Sequence, residues 1–277
     1  MPGESRPAEG VPLPLWPAGQ VPGAVGQAAA DVPSITPYWS PHADAQAAML
    51  VCPGGGYARL APNGGAPVAR WLSGVGVHAF VLQYRVAPYR HPWPLADAQR
   101  GLRTVRHHAP EWGLDPRRVG ILGFSAGGHL ASTVATHFEP GLAEHDDPVQ
   151  RQSCRPDVAV LCYPVITFGQ FRHEGSLRNL LGAAPPESLR LSLSNELQVT
   201  PETPPTFLWH TADDADVPVE NSLLFALALR RAGVPLALHV YERGPHGLGL
   251  ADGDPDVASW TGRCAAWLAS HRFGDRH

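Results

Sequence analysis

The sequence predicts a mostly parallel, doubly wound α/β sheet with helices on both faces, and three observations point there. Short apolar runs alternate with amphipathic stretches of ten or more residues, the signature of β–α–β units joined by crossovers. At one such junction a serine stands between glycines, in Gly123-Phe124-Ser125-Ala126-Gly127. Later apolar runs are followed by an acidic loop and by a glycine-rich loop carrying a histidine. Polar residue types thus collect where strands end, the edge at which open parallel sheets bind ligands.

Taken in order, residues 1–41 are rich in Pro, Gly and Ala without periodicity, and are expected to form an extended arm that lies across the surface or is partly disordered. Residues 42–277 are read as one domain. Residues 45–52 form an apolar strand that ends in the loop Pro53-Gly-Gly-Gly-Tyr57. Residues 66–74 read as a helix with Val68, Trp71 and Leu72 on one face, and residues 78–84 as the next strand. A helix is expected over 95–112, with Asp97 in its first turn suiting the helix dipole and assigned no chemistry. The strand at 119–122 and the small-residue helix from Ala126 bracket the serine. Further strands are expected at 157–163, 206–210 and 236–241, with helices at 219–232 and 257–269. Residues 164–205 hold helical pieces but no strand, and read as a small cap-like insertion over a site.

Composition narrows the function classes. Of the 277 residues, 44% are hydrophobic and 17% charged, enough for a sizeable core and unlike a disordered chain. A net charge of −4 with no basic stripe argues against nucleic acid or an anionic membrane surface as a partner. Cys52, Cys154, Cys162 and Cys264 lie far apart and form no C-x-x-C pair, so no metal or redox motif is indicated. The first 30 residues lack a basic segment followed by an apolar one, and no run approaches the roughly 18 apolar residues of a membrane span. The expectation is a soluble, cytoplasmic protein, with a homo-oligomer left open.

The G-x-S-x-G pattern suits a sharp strand-to-helix turn that lifts a serine hydroxyl above the sheet. There the amide of Ala126, at a helix N-terminus, can face a developing oxyanion. A serine needs a base, and His246 in Arg243-Gly-Pro-His-Gly-Leu-Gly249 is the best placed of the 14 histidines, in a flexible loop after the last strand. The acid that would orient it comes from Asp213, Asp214 or Asp216, which spacing alone does not separate. The tri-glycine loop can supply further N–H donors.

Together these segments resemble the α/β-hydrolase serine esterases, in particular the acetyl-xylan-esterase-like and bacterial carboxylesterase branch. The likeness covers about residues 16–267. It rests on Cys52-Pro-Gly-Gly-Gly-Tyr57, Tyr84-Arg-Val-Ala-Pro88, Gly123-Phe-Ser-Ala-Gly-Gly-His-Leu-Ala131, Asp213-Asp-Ala-Asp-Val-Pro218 and Gly244-Pro-His-Gly247. The order Ser…Asp…His is that of the α/β-hydrolase fold. The resemblance implies Ser125, Asp214 and His246 as catalytic residues, and Gly55, Gly56 and Ala126 as oxyanion donors. It implies Tyr57 as a substrate contact, no metal and no cofactor. Pro53 stands where many esterases carry His. The segment Ala61-Pro-Asn-Gly-Gly65 lacks the Glu-Gly often found in relatives, so substrate contacts should differ there. The expected reaction is hydrolysis of short-chain esters, acetyl esters of carbohydrates above all, on a small-molecule or oligosaccharide substrate. A peptidase, a lipase and a non-catalytic binding module are the competing readings.

Overall fold

A computed structural model describes residues 6–274; the first five residues of the expected arm and the last three of the expected domain lie outside the described residues. Eight strands form one sheet in the order β1-β2-β4-β3-β5-β6-β7-β8. They are β1 (Leu13–Pro14), β2 (Ser34–Tyr38), β3 (Ala47–Cys52), β4 (Val77–Gln83), β5 (Val119–Phe124), β6 (Ala159–Cys162), β7 (Thr206–Thr211) and β8 (Leu236–Tyr241). Strands β3 to β8 run parallel, and β1 and β2 pair antiparallel at one edge. Every residue of β3, β5, β6 and β7 is buried, which is why they read as unbroken apolar runs rather than alternating ones.

Helices cover both faces. On one side α2 (Trp93–Trp112), α3 (Ala126–Thr136) and α6 (Glu220–Arg231) pack Leu102, Val134 and Phe225 against Leu50, Ile121 and Leu208. On the other, α1 (Ala66–Gly74) and α7 (Pro255–Ser270) pack Leu72 and Trp260 against Val51, Leu122 and Trp209. Successive strand residues Leu50 and Val51 thus serve opposite cores, as the strand period of two requires.

Two expectations change. The segment expected to be a surface arm enters the sheet: Ser34–Tyr38 pairs along β4, with Ile35 opposite Leu82 and fully buried. Pro37 masks it in the sequence, yet it lies past the short β1 pairing, where a missing N–H costs no ladder bond. Helix α2 also starts two residues earlier than expected, so Asp97 is not in its first turn. Its fully buried carboxylate instead receives the fully buried Arg85 guanidinium at 2.6 Å.

What the topology does for function is local. Chain order reverses around β3, which lies between β4 and β5. Cys52 of β3 sits opposite Gly123 of β5, so the loops leaving these two strands share the crevice of a topological switch point. The insertion after β6 contributes α4 (Glu174–Leu181) and α5 (Glu187–Ser192). Asn221 of α6 fixes its start, accepting from the amides of Ile166 and Thr167 at 2.9 and 3.1 Å.

Candidate active site

Ser125 occupies the corner between β5 and α3 at φ 53°, ψ −119°, a left-handed conformation that a non-glycine residue adopts only under constraint. The constraint is visible. Its N–H donates to the Cys162 carbonyl at 3.0 Å, and its own carbonyl accepts from His129 and Val165 at 3.0 Å each. The flanking glycines are needed for approach. A Cβ on Gly123 would fall 2.1 Å from the Gly127 carbonyl oxygen, and one on Gly127 would fall 2.2 Å from that of Cys52. Strand and helix can therefore close on each other only if both positions lack a side chain.

The structure brings the three sequence-predicted polar residues together from three strand ends. His246 Nε2 lies 2.7 Å from Ser125 Oγ, and His246 Nδ1 lies 2.7 Å from Asp214 Oδ2. Asp214 is almost fully buried, and its Oδ1 accepts from the amides of Asp216 and Val217 at 3.0 and 2.9 Å. Burial alone would raise this carboxyl. Hydrogen bonds from His210, His246 and the Val217 amide outweigh burial and hold it well below the ordinary carboxylate range. The three aspartates of this turn point in different directions, and Asp214 is the one against His246. Asp213 is exposed and accepts from the Gly244 amide at 2.7 Å, pinning the loop that carries His246. Asp216 lines the cavity described below.

That loop is anchored on several sides. Thr211 Oγ1 donates to the Gly244 carbonyl at 2.8 Å, and Asn63 Nδ2 donates to the Gly247 carbonyl at 2.8 Å. The Gly249 amide donates to the Tyr163 hydroxyl at 2.9 Å, and the Tyr163 ring meets the His246 ring edge-on, with centroids 4.9 Å apart. Asn63 also lines the cavity described below, so one side chain serves both the histidine loop and the cavity wall.

Gly55 and Gly56 take φ 121° and 65°, and both face a cavity of about 680 Å³ that also holds Ser125 and His246. Among the described residues, none accepts a hydrogen bond from the amides of Gly55, Gly56 or Ala126. Tyr57 is a correction. Instead of meeting substrate it is 1% exposed, and its hydroxyl reaches His129 Nδ1 at 2.8 Å. Its backbone continues the left-handed coil at φ 58°, and the ring packs into the core beneath the glycine loop. His129 Nε2 faces the Leu193 carbonyl at 2.9 Å, and a carbonyl only accepts, so Nδ1 is left to accept from the phenol. Burial pushes this imidazole down to about 4.

The same cavity is lined by Asn63, from the segment where substrate contacts were expected to differ, and by residues that sequence reasoning did not place: Arg59 and, from the insertion, His173 and Asn179. The cap-like reading of 164–205 was the one signal pointing to the last two. Asn179 Nδ2 donates to the Gly56 carbonyl at 2.8 Å, so the insertion also braces the glycine loop. Among the described residues, no group of three or more His, Cys, Asp or Glu is placed to hold a metal ion. No helix among them is long and apolar enough to cross a membrane. The four cysteines are buried and unpaired.

The BD-FAE family model matches residues 47–229, which run from β3 into α6 and include Ser125 and Asp214. The chain belongs to the BD-FAE family. A crystal structure of an acetyl ester-xyloside bifunctional hydrolase from Caldicellulosiruptor lactoaceticus superimposes with a TM-score of 0.93 at 49% identity, covering 96% of this chain and 98% of that one. The endo-1,4-beta-xylanase B of Butyrivibrio fibrisolvens is 41% identical over 77% of this chain and 34% of its own length. The acetylxylan esterase of Xylanibacter ruminicola is 34% identical over 73% of this chain and 41% of its own length. This BD-FAE chain therefore matches about a third to two-fifths of the length of those two relatives. The fold is that of the α/β-hydrolases, and the chain is similar to the acetyl-xylan-esterase-like proteins that its motifs resemble.

Proposed function

We propose that this chain hydrolyses short-chain carboxylic esters, acetyl esters of xylo-oligosaccharides foremost, through a covalent acyl-enzyme. The observation that carries this reading is the relay from Asp214 through His246 to Ser125, with both links at 2.7 Å. With Nδ1–H donating to the carboxylate, Nε2 presents a lone pair and takes the Ser125 proton as Oγ bonds to the acyl carbon. The carbonyl oxygen becomes an oxyanion against the amides of Gly55, Gly56 and Ala126. The tetrahedral intermediate collapses, the alcohol leaves with the proton from Nε2, and the acyl group remains on Oγ. Water then gives a proton to Nε2 and attacks the same carbon, and Ser125 departs, recovering its proton.

The carbohydrate half of the reading draws on the relatives named for acetylxylan and on a cavity wall rich in polar side chains, Arg59, Asn63, His173, Asn179 and Asp216. The Caldicellulosiruptor protein is described as hydrolysing xylosides too. A common glycosidase design sets two carboxyl groups about 5–10 Å apart around the scissile bond. Asp216 is the one carboxylate among the residues lining this cavity, so ester cleavage is the reaction it suits.

Labelling with a serine-directed fluorophosphonate, followed by turnover of an aryl acetate, tests the mechanism. The reading expects label on Ser125 and loss of both signals in Ser125→Ala; a fully active Ser125→Ala enzyme would sink it. Parallel turnover of acetylated xylo-oligosaccharides, longer acyl esters and a matched amide separates the carbohydrate reading from a lipase or a peptidase.

A further inference from the structure

We propose that His173 and Asn179, both contributed by the insertion, recognise a free hydroxyl on the alcohol half of the substrate and so make the enzyme selective for esters of polyols over simple esters. The inference rests on the ester-hydrolase reading and adds to it a pair of specificity residues. An acetyl group has one polar atom besides the ester oxygen, its carbonyl oxygen, and the glycine-loop and Ala126 amides are assigned to that. Any further polar atom in the cavity without a protein partner must therefore face the alcohol half or solvent.

Two such atoms belong to α4 and its N-cap, His173 Nε2 and Asn179 Oδ1. His173 caps this helix: the Ser176 amide donates to its Nδ1 at 3.1 Å, and the Ser176 hydroxyl lies 2.8 Å from the same nitrogen. Because Nδ1 accepts from a backbone N–H, the ring proton resides on Nε2. Burial, and then the neighbouring His246, hold the ring below the ordinary imidazole range, which favours that single neutral form. Among the described residues, nothing accepts from Nε2–H.

The ring packs close to the glycine loop. A Cβ built on Gly56 would lie 3.7 Å from its Cε1, and one on Gly175 would lie 3.1 Å from the same atom. Asn179 gives its Nδ2 to the Gly56 carbonyl at 2.8 Å, which leaves Oδ1 as an acceptor with no partner among the described residues. Both side chains line the cavity that holds Ser125 and His246. Sugar hydroxyls both donate and accept, so the alcohol half of a polyol ester can pair with Nε2–H and with Oδ1. An aryl or alkyl leaving group can satisfy neither, and a site built for a hydroxyl discriminates against a ligand lacking it.

The experiment compares the full chain with His173→Asn on mono-acetylated xylobiose and on 4-nitrophenyl acetate. Asparagine can still cap the Ser176 amide but carries no donor at the Nε2 position. The ratio of kcat/KM for the sugar ester to that for the aryl ester should fall about tenfold, the worth of one hydrogen bond. On the wild-type chain, a deoxy sugar acetate lacking the hydroxyl beside the ester should lose a similar factor, and His173→Asn should lose nothing more on it. An unchanged ratio, with both substrates slowed alike or neither slowed, overturns the proposal, as does a deoxy ester cleaved as well as its parent. A wild-type chain that cleaves 4-nitrophenyl acetate but no acetylated sugar overturns the carbohydrate reading itself. One that cleaves neither overturns the esterase reading.

Discussion

Replacing Asp214 with Asn probes the relay at the atom where its logic is decided. Asp214 Oδ1 accepts two backbone amides, from Asp216 and Val217, while Oδ2 faces His246 Nδ1 at 2.7 Å. An asparagine must keep its carbonyl on those two N–H donors, because its NH₂ cannot accept from them. The NH₂ is then aimed at Nδ1, which has to become an acceptor. The ring proton moves to Nε2, and Ser125 Oγ meets a donor where it needs a base. Volume is conserved at a buried site, so the loss falls on kcat rather than on packing. A tautomer exchange of this kind costs about 10⁴-fold, or about 5.5 kcal/mol of barrier. The assay is kcat on an aryl acetate together with the rate of fluorophosphonate labelling. Asp213→Asn is the comparison, since that exposed side chain holds only the Gly244 amide and should change kcat less than about threefold. Asp214→Asn within tenfold of wild type, or Asp213→Asn equally damaging, would refute the assignment.

Three further outcomes are expected. Gly55→Ala places a Cβ 2.2 Å from the Arg59 carbonyl oxygen at φ 121°, so the glycine loop must shift and kcat should fall by at least about 10²; an unimpaired variant would remove Gly55 from the oxyanion site. Asp97→Ala strands the fully buried Arg85 guanidinium and should cost about 3–5 kcal/mol in urea unfolding, with a loss under about 1 kcal/mol counting against a paired charge there. His129 folds with its imidazole lowered from 6.5 to about 4, so the unfolded chain binds more protons between those values. Its contribution is complete above 6.5 and lost as pH falls towards 4. The stability advantage of wild type over His129→Gln should therefore shrink by about 3 kcal/mol between pH 7 and pH 4, and a constant gap would contradict a neutral buried ring.

The central strands were legible because both their faces are covered. Ala47–Cys52 and Val119–Phe124 are buried at every position, and such strands announce themselves as apolar runs. Ser34–Tyr38 did not, because it holds a proline and two partly exposed positions, and it gains its place from pairing with a strand more than forty residues on. The meeting of Ser125 and His246 was legible for a different reason: a serine on a strained turn and a histidine in a glycine loop need particular neighbours in the chain itself. Spacing alone did not separate Asp214 from Asp213 and Asp216, and only the family resemblance pointed to it, since aspartates in one turn differ only in which way the turn aims them. Tyr57 was misplaced for the same kind of reason, its left-handed backbone turning inward a ring that family position puts near substrate.

The misplacement of Tyr57 shows how the site is held together. Its hydroxyl, His129 and the Leu193 carbonyl form one buried hydrogen-bonded line from the glycine loop, through the serine-bearing helix, to the insertion. Asn195 strengthens the far end, donating to the Ser132 hydroxyl at 2.7 Å and the Thr133 hydroxyl at 3.0 Å on α3. On the other side Asn179 returns from the insertion to the Gly56 carbonyl, which closes the circuit back to the loop that contains Tyr57. The segment read from sequence as a cap over the cavity is therefore also part of the cavity's frame. Substitutions at His129 or Asn195 should act on the glycine loop without touching the cavity. Under the proposed mechanism such buried residues would act by setting where the loop amides point, because donors aimed in advance need no rearrangement when an oxyanion forms.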